Sequence, residues 1–129
     1  MPFCNLPYII DGKVKVTETL AVHQYIASKY KPELLGRTPQ EKGRSYQLAN
    51  VVIDKFIGSV VSTAFDPNGD KAKMNEKVLE NLKPLVDYLG SKKFLEGDTV
   101  FLPDFLLFEF VEYAQAINDG VTFQTYPTL

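Results

Sequence analysis

Glu18 and Thr19 are the residues of this 129-residue chain best placed to do chemistry. They stand where a run of apolar and β-branched residues gives way to helical periodicity, with Leu20, Ala21, Tyr25 and Ile26 spaced to share one broad face. A helix N-terminus offers unpaired N–H groups and a positive dipole end, which suits a carboxylate. The Thr19 hydroxyl can add a donor to that carboxylate, and the Glu18 carboxylate can accept from a neighbouring ammonium group. The pair therefore suits a ligand that carries both groups. With a single His and a single Cys, the chain has no ligand set for a dedicated zinc site. His23 falls sideways or outward on the same helix and is read as non-catalytic. Cys4 is read as an ordinary thiol open to mixed disulfides.

The elements that must position this pair lie just before it. Pro7 opens a first strand through Tyr8, Ile9 and Ile10. Asp11-Gly12 marks a tight turn, and Val14 and Val16 form a second strand. Thr17 is the expected N-cap of the helix that follows. The order strand, strand, helix with a proline at its start matches the second half of a thioredoxin-like domain.

The segment Asn5-Leu6-Pro7-Tyr8 through Glu18-Thr19 resembles the glutathione transferases, and the mu-like cytosolic branch most closely. The resemblance implies that Pro7 is preceded by a cis peptide bond. It also implies that the backbone N–H and C=O of Leu6 pair with the cysteinyl part of glutathione. Asn5, Leu6, Pro7, Glu18 and Thr19 are then the glutathione-binding residues. It further implies that Asp54 reaches the glutathione site of a partner subunit in a two-fold homodimer, where its carboxylate can accept from an ammonium group. The alternative for Asp54 is a solvated helix carboxylate. Phe65 falls near a position that lines the electrophile pocket in the family, with a helix-end core aromatic as its alternative. Partners implied are glutathione, as co-substrate rather than cofactor, and small hydrophobic electrophiles; no other cofactor is expected.

The remaining chain reads as helices. Residues 1–30 are the partial glutathione-binding unit, and 31–36 a linker in which Pro32 stops helix continuation. Residues 37–129 are an α-helical domain, incomplete at its C-terminus. A helix starting near Thr38, with Pro39 in its first turn, runs through Leu48, Val52 and Phe56 towards Ala64, with Gly58 inside it. Asp66-Pro67-Asn68-Gly69-Asp70 is a turn. A third helix covers about Lys71 to Gly90, where Pro84 is expected to kink or break it. Phe94-Leu95-Glu96-Gly97, followed seven residues later by Asp104, resembles the family's turn before a deeply buried central helix. The family's usual Ser or Thr cap is replaced by Phe101, at an expected cost of about 1 kcal/mol unless Asp104 caps the backbone in another way. Phe105 to Val111 is expected to be core. The fold class is thus mainly α, an all-helical bundle preceded by a β-β-α half of a thioredoxin-like domain.

Composition agrees with a folded domain: 45% hydrophobic residues, and 14 basic against 16 acidic residues for a net charge of −2. That balance gives no reason to expect nucleic acid or an anionic membrane as partner. No signal peptide or membrane-spanning run is read, which with the single cysteine points to the cytoplasm.

The resemblance also shows what does not match. The family's sulfur-activating Tyr or Ser lies on a strand ahead of the proline hairpin, and no residue here matches it. Tyr8, inside the hairpin, is read as core, and Cys4 does not match the catalytic Cys of other classes. No catalytic residue is therefore assigned, and the chain reads as a transferase truncated at both ends. Its parent activity would be conjugation of glutathione thiolate to electrophiles in detoxification. The competing reading is a catalytically inactive helical scaffold or interaction module. The first strand is expected to present an unpaired, association-prone edge.

Overall fold

The computed structural model describes residues 3–61 and 69–129. Two strands, β1 (Tyr8–Asp11) and β2 (Val14–Thr17), form an antiparallel two-stranded sheet in the register Tyr8↔Thr17, Ile9↔Val16, Ile10↔Lys15 and Asp11↔Val14. Gly12, at φ 59, supplies the positive φ that a two-residue hairpin loop demands. Helix α1 (Thr19–Tyr30) follows, then a 3-10 helix (Pro32–Leu35) and helix α2 (Pro39–Phe56). A π-helical turn covers Ile57–Val61, and helices α3 (Lys71–Leu89), α4 (Leu102–Ile117) and α5 (Val121–Thr125) complete the described elements.

The core is built by α2, α3 and α4. Leu48, Ala49 and Val52 meet Val78, Leu82, Leu85 and Leu89, with Leu106, Leu107, Phe110 and Ala114 from α4. Phe56 meets the rings of Phe110 and Tyr113 edge-on, at centroid distances of 5.4 and 5.6 Å. Such contacts add to the burial of apolar area that stabilises the bundle.

The helix starts follow local chemistry. Thr38 and Glu41 form a reciprocal capping box: Thr38 Oγ1 accepts from Glu41 N–H at 3.1 Å, and Glu41 Oε2 accepts from Arg37 and Thr38 N–H at 2.7 and 3.1 Å. These backbone donors hold the Glu41 carboxyl below its ordinary range. Asp70 caps α3 through the N–H groups of Ala72 and Lys73. At α4, where no side chain at Phe101 caps the first turn, Asp104 supplies the reciprocal half of a capping box. Its Oδ2 accepts from Phe101 N–H and its Oδ1 from Leu95 N–H, both at 2.8 Å. Leu95 lies in a turn closed by reciprocal Phe94–Gly97 backbone bonds of 2.8 and 3.0 Å, with its side chain fully buried. One carboxylate therefore fixes both the helix start and the preceding turn.

Gly36 is the glycine that geometry requires most plainly. Its φ is 103, and a Cβ there would stand 2.7 Å from the backbone nitrogen of Lys42. The chain can pass this close to the first turn of α2 only without a side chain.

Several expectations are corrected. Thr17 ends β2 and does not cap α1; Glu18 is the N-cap, and no side chain caps the helix. The buried residues of α1 are Val22 and Ala27, whereas Ile26 is exposed, because α1 packs against the hairpin and the 3-10 helix along a narrower face. Pro84 does not break α3, which runs continuously from Lys71 to Leu89 with the proline on its exposed side. Helix α2 ends at Phe56 and widens into the π-helical turn, where the buried Ser59 hydroxyl donates to Lys55 C=O at 2.6 Å. Tyr8 is exposed rather than core. Helix α4 is not buried all round: Phe105 is 50% and Phe108 61% exposed beside a groove of about 470 Å³. The face of α4 toward α2 and α3 is the one sealed in the core, and the aromatics on its other side are left partly in solvent along that groove. Phe65 and the turn residues Asp66, Pro67 and Asn68 lie outside the described residues.

Candidate functional site

The hairpin and α1 bring Asn5, Leu6 and Glu18 together. The Leu6–Pro7 peptide is cis. Asn5 links the proline turn to the helix start: its Oδ1 accepts from Leu6 N–H at 2.9 Å, and its Nδ2 donates to Glu18 Oε1 at 3.1 Å. All three residues are exposed, Leu6 by 77%. The Leu6 N–H is thus already engaged by a neighbouring side chain. Its C=O has no backbone partner among the described residues and remains the group open to a ligand.

Glu18 is held at φ 76 and ψ 132, a backbone region that residues with a Cβ avoid, at a cost of about 1–3 kcal/mol. Its carbonyl accepts the N–H of Val22 at 2.9 Å, the first intrahelical bond. The N–H groups of Thr19, Leu20 and Ala21 precede that bond, no side chain caps them, and no acidic residue occupies the first turn. Thr19 is half-buried at this end, and its carbonyl accepts from His23 Nδ1 at 2.7 Å. A carbonyl only accepts, so Nδ1 carries the proton in this contact. His23 therefore supports the first turn.

The hairpin is fastened to α1 by Asp11. Tyr25 Oη donates to Asp11 Oδ2 at 2.8 Å, and Lys29 Nζ bonds and pairs with the same oxygen. The Lys29 bond foremost, then the Tyr25 bond, lowers the Asp11 pKa, and Asp11 in turn raises those of Tyr25 and Lys29. This latch was missed by the sequence reading. Its signal is the i, i+4 spacing of Tyr25 and Lys29, which puts an acceptor's two partners on one helix face.

Asp54 is exposed near the C-terminal end of α2. No hydrogen bond or ion pair joins it to Asn5, Glu18 or Thr19 within the chain, so it stands apart from the cluster around Glu18. Among the described residues no group of three His, Cys, Asp or Glu side chains could hold a metal ion, and no helix is long and apolar enough to cross a membrane.

The family profile described as glutathione S-transferase, C-terminal domain, matches residues 48–129. Human glutathione S-transferase Mu 5 is 36% identical over 114 residues, covering 87% of this chain and 51% of that protein. The class-mu 26 kDa isozyme of Schistosoma japonicum is 34% identical over 131 residues, covering 100% of this chain and 58% of that protein. A glutathione S-transferase of Tyrophagus putrescentiae is 37% identical over 113 residues, covering 86% and 50%. The chain thus spans about half the length of the curated relatives it matches.

Proposed function

Because the chain belongs to the glutathione S-transferase family, with mu-class relatives, we propose that it carries the part of a glutathione site that recognises the ligand's amino-acid head. The observation that carries this reading is the open start of α1: a positive-φ Glu18 and uncapped N–H groups, braced by Asn5 against the cis-proline turn. The γ-glutamyl carboxylate of glutathione meets the N–H groups of the first turn and the Thr19 hydroxyl, where the helix dipole favours negative charge. The ligand's ammonium group meets the Glu18 carboxylate, whose Oε1 is already oriented by Asn5. The Leu6 carbonyl accepts from the cysteinyl N–H, and Pro7 holds the turn that aims it. Strain at Glu18 is consistent with a backbone set for binding rather than for helix stability.

For the whole protein we assign conjugation of glutathione thiolate to small hydrophobic electrophiles, a detoxifying reaction in the cytoplasm. The residues described here bind and orient the thiol; they do not activate it. Glutathione is a co-substrate in this scheme, not a cofactor. The exposed Asp54 carboxylate fits a role across a homodimer, accepting from the ammonium group bound to a second copy. Phe65 is assigned to the electrophile wall.

Backbone NMR of the labelled chain during titration with reduced glutathione tests the site. Saturable shifts centred on Leu6, Glu18, Thr19 and Leu20 are expected. Shifts confined to other elements would overturn the assignment, and so would none at millimolar glutathione.

A further inference from the structure

The groove of about 470 Å³ beside α4 is lined by Phe105, Phe108 and Glu112 at i, i+3 and i+7, one stripe of that helix. Leu107 and Phe123 add apolar wall, and no residue of α2 lines it. Phe105 and Phe108 are 50% and 61% exposed, so the stripe is an apolar surface open to solvent. Apolar surface gathered into one patch in this way marks an interaction face.

The charges along the groove follow a pattern. Its charged lining residues are Lys93, Asp104 and Glu112, and the Asp104 carboxylate is engaged by the N–H groups of Leu95 and Phe101. The Leu95–Asp104 bond of 2.8 Å holds the Lys93 segment beside the first turn of α4. Glu112 lies eight residues after Asp104, roughly 12 Å along the helix axis. A cation therefore stands at one end of the aromatic stripe and an anion towards the other. Neither forms an ion pair among the described residues, and Lys93 Nζ sits 5.3 Å from the Phe94 ring centroid.

We propose that this groove is an interface between two copies of the chain, packed face to face about a two-fold axis near Phe108. Antiparallel α4 helices then bury Phe105 and Phe108 against the same residues of the second copy. Lys93 of each meets the partner's Glu112, so one patch is complementary to itself, as a two-fold contact requires. A foreign helix would need this charge pattern built into it, whereas a second copy already carries it. The net charge of −2 gives little repulsion between copies. Because α2 takes no part in the groove, this contact is separate from the one assigned to Asp54.

Sedimentation velocity of the whole chain over a concentration series tests the interface. A reversible self-association with a micromolar Kd is expected. Phe108→Asp should abolish it with an unchanged circular dichroism spectrum, since this side chain is outside the core. Glu112→Lys and Lys93→Glu should each raise Kd about tenfold, because each replaces two symmetry-related ion pairs by like-charge contacts. The double variant should return Kd to within about threefold of the parent, and Asp54→Asn should leave it unchanged. A monomer at every concentration would overturn the proposal and leave the groove to a different partner. So would association that survives Phe108→Asp, or single reversals that the double variant does not rescue. Association lost instead in Ile10→Lys would place the contact at the β1 edge and overturn it as well.

Discussion

Replacing Asp104 by Ala should be among the most damaging single changes to this fold. Its two carboxylate oxygens each accept a backbone N–H at 2.8 Å, one from Leu95 and one from Phe101. Hydrogen bonds to a charged acceptor contribute about 1.5–3 kcal/mol each. The two bonds share one side chain and are not additive, so Asp104→Ala should cost about 3–4 kcal/mol. That is a large share of the roughly 5–15 kcal/mol by which a domain is stable. The loss has two parts. Phe101 N–H, at the start of α4, loses its acceptor, and the turn that seats the fully buried Leu95 comes loose. Asp104→Asn keeps one acceptor oxygen and turns an amide group toward the other N–H, so it should cost about half as much. Urea denaturation followed by far-ultraviolet circular dichroism measures both variants, with the slope m checked for constancy. An Asp104→Ala cost below about 1 kcal/mol at unchanged m would refute the view that this carboxylate anchors both the start of α4 and the turn before it.

Gly36→Ala should cost about 2–4 kcal/mol in the same assay, because its Cβ would meet Lys42 backbone at 2.7 Å and its φ is positive. Asn118→Ala should cost about 1–3 kcal/mol by orphaning the buried Thr122 side chain and N–H, which it bonds at 2.7 and 3.3 Å. Asp11 has a folded pKa below its unfolded one, through Lys29 first and Tyr25 second. Its contribution to stability is therefore complete above the ordinary carboxylate pKa of about 4 and is lost as pH falls through the depressed folded value. Thermal melts of Asp11→Asn and the parent chain should differ at neutral pH and converge in acid; a constant gap would contradict the latch.

Much of the architecture is legible from local chemistry alone. The hairpin follows from β-branched residues around Asp11-Gly12, and the capping box of α2 from Thr38-Pro39 with Glu41. The apolar spacing of Val78, Leu82, Leu85, Val86 and Leu89 predicts one face of α3 in the core; all are buried except Val86, which is half-buried. Other features depend on tertiary context. Thr17 has the right chemistry for a cap, but strand pairing with Tyr8 claims it and moves the helix start to Glu18. Pro84 does not break α3, since the packing of Leu82, Leu85 and Leu89 holds the helix through it. Helix α4 is apolar nearly all round in sequence, yet packing against α2 and α3 seals one side in the core and leaves Phe105 and Phe108 largely exposed. At the candidate site, residue types and spacing point to Glu18 and Thr19. The strained φ at Glu18 and the Asn5 bridge arise from how the hairpin meets the helix, which no residue pattern encodes.

The central claim is that the start of α1 is a glutathione-binding surface. Calorimetric titration of the purified chain with reduced glutathione, beside Thr19→Ala, tests it most directly. The account predicts millimolar or tighter binding by the parent chain, weakened about tenfold in the variant by loss of one charge-assisted hydrogen bond. No heat of binding from a folded parent chain, or equal affinity in the variant, would contradict it.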